Sequence, residues 1–403
     1  MANTTLQLRR PNTIANSELL LGEILADTSG ELDLRVPQSL KGDDLGGLAA
    51  TLQTIATWAR RNPRGRLRTY IVRSGLESGL RTLLDSEHGL FAILMAPAVV
   101  DAQGDDIVLE ARHMAIQRLD QISSFNGARR GSQATIAAAD HTSRNSPRAL
   151  YASADSLVGS TLRKEAGMVQ LVRQFSELTQ VGAGSKRDLL YSAEPIAQIL
   201  HELLDNTHRY ARHGADGLTV IQPSVRLVRA EAIGQSLQLL TERAEDQPVL
   251  RKYLMHPSHR SALHSDSTVP DIRRFLEITV LDTGPGIAAR RLLELGLSME
   301  PTVESEFAAL TDCLRKHVTT SSNASRGLGL DHVQSTLTRL RGFIRIRTGR
   351  IELTRDFVSS PYSPAEDQTS KWMPAADPRT SLRECTEGTV VTMLIPTNLY
   401  RES

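Results

Sequence analysis

Glu202 and Asn206 stand four residues apart in PIAQILHELLDNTHRYARHG (195–214), where Ile196, Ile199, Leu200, Leu203 and Leu204 recur at helical spacing. A four-residue step puts the carboxylate and the carboxamide on one helix face. The amide oxygen suits a hard Mg²⁺, which takes oxygen ligands and keeps several waters. The carboxylate suits orienting or deprotonating a water beside a bound phosphate. A lone Glu-x-x-x-Asn is more often the solvated side of an ordinary helix, so the pair means little by itself. His201-Glu202 also opens like the zinc-protease motif, but Asp205 stands where the second histidine would be.

Two glycine-bearing segments add to it. FLEITVL alternates and is rich in β-branched residues, so it reads as a strand, and it runs into Asp282-Thr283-Gly284-Pro285-Gly286-Ile287. Glycines directly after a strand permit backbone geometry and close ligand approach that a Cβ would block. Asp282, at the strand end, could accept a hydrogen bond from an exocyclic amine such as that of adenine. Further on, Gly327-Leu328-Gly329-Leu330 opens an amphipathic helix with Val333, Leu337 and Leu340 on one side. Backbone N–H groups at such a start, with the positive end of the helix dipole, can hold an anion. The Gly-Lys-Ser/Thr ending of a Walker loop is missing, and the glycine spacing is not that of a Rossmann fingerprint.

These segments need a scaffold. In the first third, LDLRV (33–37), RLRTYIV (66–72) and GLFAILMA (89–96) read as strands. Helical periodicity fills 45–61, the ESGLRTLLDS stretch and 107–122, so residues 1–125 are expected to form a small α/β domain. It is loosely similar to STAS-type regulatory modules, with no motif to carry the likeness. Residues 126–150, rich in Gly, Ser, Asn and charge, read as a linker. Helical spacing resumes over 156–178, and a second domain is expected over 151–403, with GFIRIRTG and EGTVVTMLIP as its closing strands. Residues 223–270, with a helical-looking VRAEAIGQSLQLLTERAED, read as one insertion. Residues 354–386 read as another, an exposed loop.

Each segment alone is weak; their order is informative. A helix with Glu and Asn, a strand ending in Asp-x-Gly-x-Gly, then a Gly-x-Gly-Leu helix start resembles the GHKL ATPase superfamily of gyrase, heat-shock chaperones, MutL and histidine kinases. The resemblance covers about 170–397 and implies an α/β sandwich of the Bergerat type, one mixed sheet backed by helices. It implies that Asn206 holds Mg²⁺, that Asp282 reads the adenine amine, and that Gly284, Gly286 and Ile287 shape the base pocket. Gly327, Leu328, Gly329 and Leu330 would close a lid (about 288–326) on the phosphates of ATP. Arg209 would face the phosphates, Tyr210 would lie near the nucleotide, and Thr389 would support adenine recognition through water. Glu202 resembles the glutamate of hydrolysing members and of serine-kinase anti-sigma factors, whereas sensor histidine kinases typically carry Asn there. The expected function is therefore a Mg²⁺-dependent ATPase that signals to a protein partner. Serine/threonine phosphorylation and a non-hydrolysing nucleotide-gated module are the alternatives. Several relatives work as dimers, so a second copy is among the partners the resemblance implies.

Composition sets the outer limits. Hydrophobic residues are 40%, charged residues 23% and the formal charge is +1, so nothing electrostatic points to nucleic acid or an anionic membrane. Arginine outnumbers lysine, which reads as compositional bias before it reads as a binding patch. Cys313 and Cys385 fit neither a metal-ligand pattern nor a disulfide framework. With no signal-like apolar core and no membrane-length apolar run, a cytoplasmic protein is expected.

Overall fold

The strand–helix alternation of the first third builds β1 (Thr5–Gln7), α1 (Ile14–Ala26), β2 (Asp33–Arg35), α2 (Gly47–Arg61), β3 (Arg66–Arg68), α3 (Leu76–Leu84), α4 (Glu87–Met95), β4 (Ala98–Val100) and α5 (Val108–Ser123). The four strands pair in sequence order, all parallel. The computed structural model describes residues 4–40, 44–125, 129–142, 147–152, 161–179, 189, 191–260, 271–297, 301–315, 329–364, 371–374 and 383–397.

The rest of the chain follows as β5 (Arg129–Arg130), β6 (Gln133–Ala139), α6 (Glu165–Leu178), α7 (Ala193–Tyr210), β7 (Val225–Ser236), α8 (Leu237–Glu242), α9 (Pro248–Leu254), β8 (Ile272–Asp282), α10 (Ile287–Glu294), α11 (Val303–Cys313), α12 (Gly329–Arg339), β9 (Phe343–Gly349), β10 (Ile351–Asp356), β11 (Met373–Pro374) and β12 (Thr386–Pro396). Its strands form one eight-stranded sheet in the order β11-β10-β9-β12-β8-β7-β6-β5. The sheet was expected to be mixed, but every pairing among the described residues is antiparallel. The cause is the last strand: β12 lies between β8 and β9, antiparallel to both, so those two same-direction strands never pair.

Both faces of this sheet are covered. Val228, Ile278, Val280, Ile346 and Val391 share a core with α6, α7 and α12. Their neighbours one residue along, Leu227, Leu281 and Val390, share a second core with Trp58 and Leu52 of α2 and with Leu34, Leu67 and Val99 of the parallel sheet. The period of two along each strand thus feeds two cores. Helices α2 and α4 lie between the two sheets, so the N-terminal layer is packed directly onto the larger sheet.

Four segments differ from their expected form. GLFAILMA is helix α4, not a strand; Ser86 caps it by accepting from the Gly89 N–H at 3.2 Å, and His88 through Met95 are all buried. A short apolar run buried on every side carries no period to separate helix from strand. The expected linker at 126–150 contributes β5 and β6 to the sheet; QATIAAA is built of small residues, which give a weak strand signal. The expected insertion at 223–270 supplies β7, an inner strand between β6 and β8, and its helical-looking stretch divides into that strand and α8. The second expected insertion is anchored where it is described: Trp372 is buried and its Nε1 donates to Gln334 Oε1 at 3.2 Å.

Charge in the sheet is paired internally. Glu231 and Glu277 stand directly opposite on β7 and β8, an unfavourable arrangement by itself. Arg229 resolves it with ion pairs to both carboxylates. Burial nonetheless pushes the Glu277 carboxyl above its ordinary value. No helix among the described residues is long and apolar enough to cross a membrane.

Candidate functional site

Helix α7 buries Ile196, Ile199, Leu200, Leu203 and Leu204 against the sheet and leaves Glu202 and Asn206 half-buried at its edge. Two glycines fix what meets the helix at Glu202 and at its C-terminal end. A Cβ on Gly329, the first residue of α12, would sit 2.6 Å from Glu202 Oε2. A Cβ on Gly284 would sit 2.6 Å from the Cα of Ala211, the residue that ends α7. The segments that carry Gly329 and Gly284 therefore both rest on α7, at points nine residues and half a turn apart around its axis. From 202 to 211 the helix rises about 13 Å.

Asp282 ends β8 with Arg226 opposite on one side and Thr389 on the other. Its Oδ1 accepts from the Gly284 N–H at 2.9 Å. Burial pushes its carboxyl up to about 6, against the lowering effect of N–H donors from Gly284 and Thr389. The turn around it is tight. Gly388 has φ +76°, and a Cβ there would lie 2.0 Å from the Asp282 carbonyl oxygen. Gly286, at φ +87°, starts α10, and Thr348 Oγ1 accepts from the Ile287 N–H at 3.2 Å. Thr389 Oγ1 donates to the same Thr348 oxygen at 3.4 Å.

Asn206 makes no hydrogen bond with its side chain among the described residues. A half-exposed carboxamide one turn from a carboxylate fits a Mg²⁺ held mainly by water and ligand phosphates, since that ion needs few protein ligands. Among the described residues no group of three or more His, Cys, Asp and Glu side chains gathers as a dedicated metal cage. Leu330 is half-buried at the start of α12, whereas Gly327 and Leu328 lie outside the described residues.

Arg209 was expected to face phosphates. It is exposed and bridges Asp205 on its own helix, Nε to Oδ2 at 2.7 Å; that hydrogen bond holds its pKa above the ordinary value. Tyr210 is half-buried beside the glycine turn, with the Arg290 guanidinium of α10 over its ring at 4.5 Å. Arg290 pairs at 3.6 Å with Glu294, and its Nη1 has no hydrogen-bond acceptor among the described residues.

Beneath the last turn of α7 lies a buried polar network. Arg226 donates to Asp140 and to Tyr151, and the Tyr151 hydroxyl meets His208 Nδ1 at 3.0 Å. Burial, with Arg212 and Arg226 nearby, pushes His208 down to about 4 and keeps the imidazole neutral at physiological pH. On the outer side of α7 a cleft of 710 Å³ runs between Gln198, His201 and Glu202 and the His332, Thr336 and Arg339 side of α12. Its volume is that of a ligand site. Glu202 lines it.

Thr348, Arg290 and Arg226 escaped the sequence reading. Thr348 lay in plain view inside GFIRIRTG, but only its register opposite Thr389 gives it a role. Arg290 follows the glycine turn closely, and a cation at that point in α10 was the one usable signal. Comparison with family models, curated proteins and solved structures finds no match to this chain.

Proposed function

We propose that this chain binds Mg·ATP along the α7 edge and acts as an ATP-driven switch of the GHKL type. The observation that supports the reading is that the two glycine segments both rest on the helix of the Glu–Asn pair: Gly329 against Glu202, and the Asp282 turn against Ala211 at its C-terminal end. The helices α6, α7 and α12 that back one face of the sheet support a sandwich of this type, while the all-antiparallel pairing departs from its mixed sheet. In this reading Asp282 accepts from the adenine amine, and Gly284 and Gly286 let its turn close against Ala211 and Thr348, which shapes the wall beside the base. Ile287 and Tyr210 flank the base, and Thr389 with Thr348 holds the floor of the pocket. Asn206 ligates Mg²⁺, and the N–H groups opening α12 face the phosphates. Glu202, beside that helix start, orients the attacking water.

The test is ATP turnover by the full chain with and without Mg²⁺. Wild type hydrolyses ATP slowly and only with Mg²⁺. Glu202→Ala lowers turnover by about 100-fold or more, as loss of a general base does, and leaves nucleotide affinity within about threefold. Hydrolysis that is undiminished in Glu202→Ala would falsify the assignment of Glu202. ATP binding without any turnover reduces the protein to a nucleotide-gated binding module.

The cleft on the outer side of Glu202 favours a second reading, transfer of the γ-phosphoryl group to a serine or threonine hydroxyl of a protein partner. There Glu202 accepts the hydroxyl proton as the oxygen attacks phosphorus, and ADP departs. Labelled phosphate then appears on protein instead of as free phosphate.

A further inference from the structure

The floor of the proposed nucleotide pocket is held from below by a helix of the N-terminal layer. Gln53, Thr57 and Arg60 follow one another on α2 at spacings of four and three, so they share a face. That face lies against the two turns that flank Asp282. Arg60 Nη2 donates to the Thr283 carbonyl at 2.6 Å and to the Pro223 carbonyl at 2.9 Å. Its Nε lies 4.0 Å from Glu387 Oε2. One turn earlier, Thr57 Oγ1 accepts from the Glu387 N–H at 3.0 Å while donating to the Gln53 carbonyl at 2.8 Å. Gln53 Nε2 reaches Arg347 O at 3.3 Å and Thr386 Oγ1 at 3.4 Å. Thr283 and Glu387 are the residues next to Asp282 and Gly388, and Gly388 presses directly on the Asp282 carbonyl.

The Arg60 side chain is only 15% exposed, so its guanidinium has left water for these carbonyls. A charged donor on backbone carbonyls is among the stronger hydrogen bonds a protein makes, and removing it leaves buried acceptors unpaired. Arg60 holds the turn in position and, as a nearby cation, also favours the Asp282 carboxylate.

We propose that Arg60 is a positioning residue for adenine recognition, and that through it α2 couples the N-terminal parallel sheet to the nucleotide site. The inference rests on the ATP-binding reading above. A displacement of α2 shifts the Thr283 carbonyl and the Glu387–Thr389 turn together, and so re-aims the Asp282 carboxylate. A change in the seating of α2 then alters affinity for the base without contact with the nucleotide.

The experiment measures ATP and GTP affinity of the full chain in wild type, Arg60→Gln, Arg60→Lys, Thr57→Val and Asp282→Asn, with circular dichroism to verify the fold. GTP is the readout that a merely structural role would not move, because it shares the phosphates and lacks the adenine amine. Arg60→Gln is expected to weaken ATP about tenfold and GTP much less, so that the preference for ATP collapses. Arg60→Lys restores part of the preference, since an ammonium supplies one carbonyl with a donor. If Arg60→Gln does not fold, Thr57→Val carries the test, with a smaller loss of ATP preference expected. A folded Arg60→Gln, or in its place Thr57→Val, with wild-type ATP affinity and preference overturns the inference alone. Wild type that does not bind ATP, or Asp282→Asn that binds as wild type does, overturns the nucleotide reading and the inference with it.

Discussion

Asp282 sits under opposing influences. Burial favours its neutral form, while N–H donors from Gly284 and Thr389 favour the carboxylate, and the balance puts its pKa at about 6. At neutral pH the group is ionised and accepts; below about 6 it takes a proton and loses much of that capacity. ATP affinity is therefore expected to hold between pH 8 and 7 and to fall as pH drops through 6, approaching about tenfold per unit below it. The dependence disappears in Asp282→Asn, and titrations with ATP across this range check it. An affinity that is flat in wild type from pH 7.5 to 5 contradicts the role. Stability moves the other way at this residue. A carboxyl whose folded pKa is raised contributes most below its unfolded value and loses that contribution as pH rises through about 6.

At the scale of elements, α7 is the rule against which the other parts are set. Gly284 permits the Asp282 turn to rest on the end of α7, where a methyl group would meet backbone at 2.6 Å. Gly284→Ala is expected to lower unfolding free energy by about 1–3 kcal/mol, the ordinary cost of overpacking. Gly234 on β7 is the control, because a Cβ there meets nothing within 4 Å; urea denaturation of the two variants separates them. Equal stabilities would mean that the turn does not rest on the helix. The sequence showed α7, β8, β9 and β12 clearly, since each buries one face or alternates between two cores. It hid α4, which is buried all round, and β6, whose alanines carry little strand preference. It also showed the residues of the three segments while hiding their supports. Thr348 acts through register and Arg60 through contact between layers, and neither relation has a local signature.

Over the whole molecule, the N-terminal layer is structurally continuous with the site. Trp58, Leu52 and Ile55 of α2 share a core with Leu227, Leu281 and Val390 of the large sheet, so the two sheets are joined through apolar packing. Arginines complete the join: Arg347 reaches Glu18 of α1 at 3.0 Å, and Arg345 Nη1 donates to the Leu45 carbonyl at 3.4 Å. This internal pairing accounts for part of the arginine excess without a basic surface. Under the proposed function, this join is the route by which a nucleotide-dependent change at α7 reaches the N-terminal layer. The central claim, that this edge binds Mg·ATP, is tested most directly by calorimetric titration of ATP into the full chain with Mg²⁺ present. The account predicts one site per chain, weakened about tenfold or more by Asp282→Asn, with the Mg²⁺ dependence lost in Asn206→Ala. No binding by wild type, or binding unchanged in both variants, would contradict it.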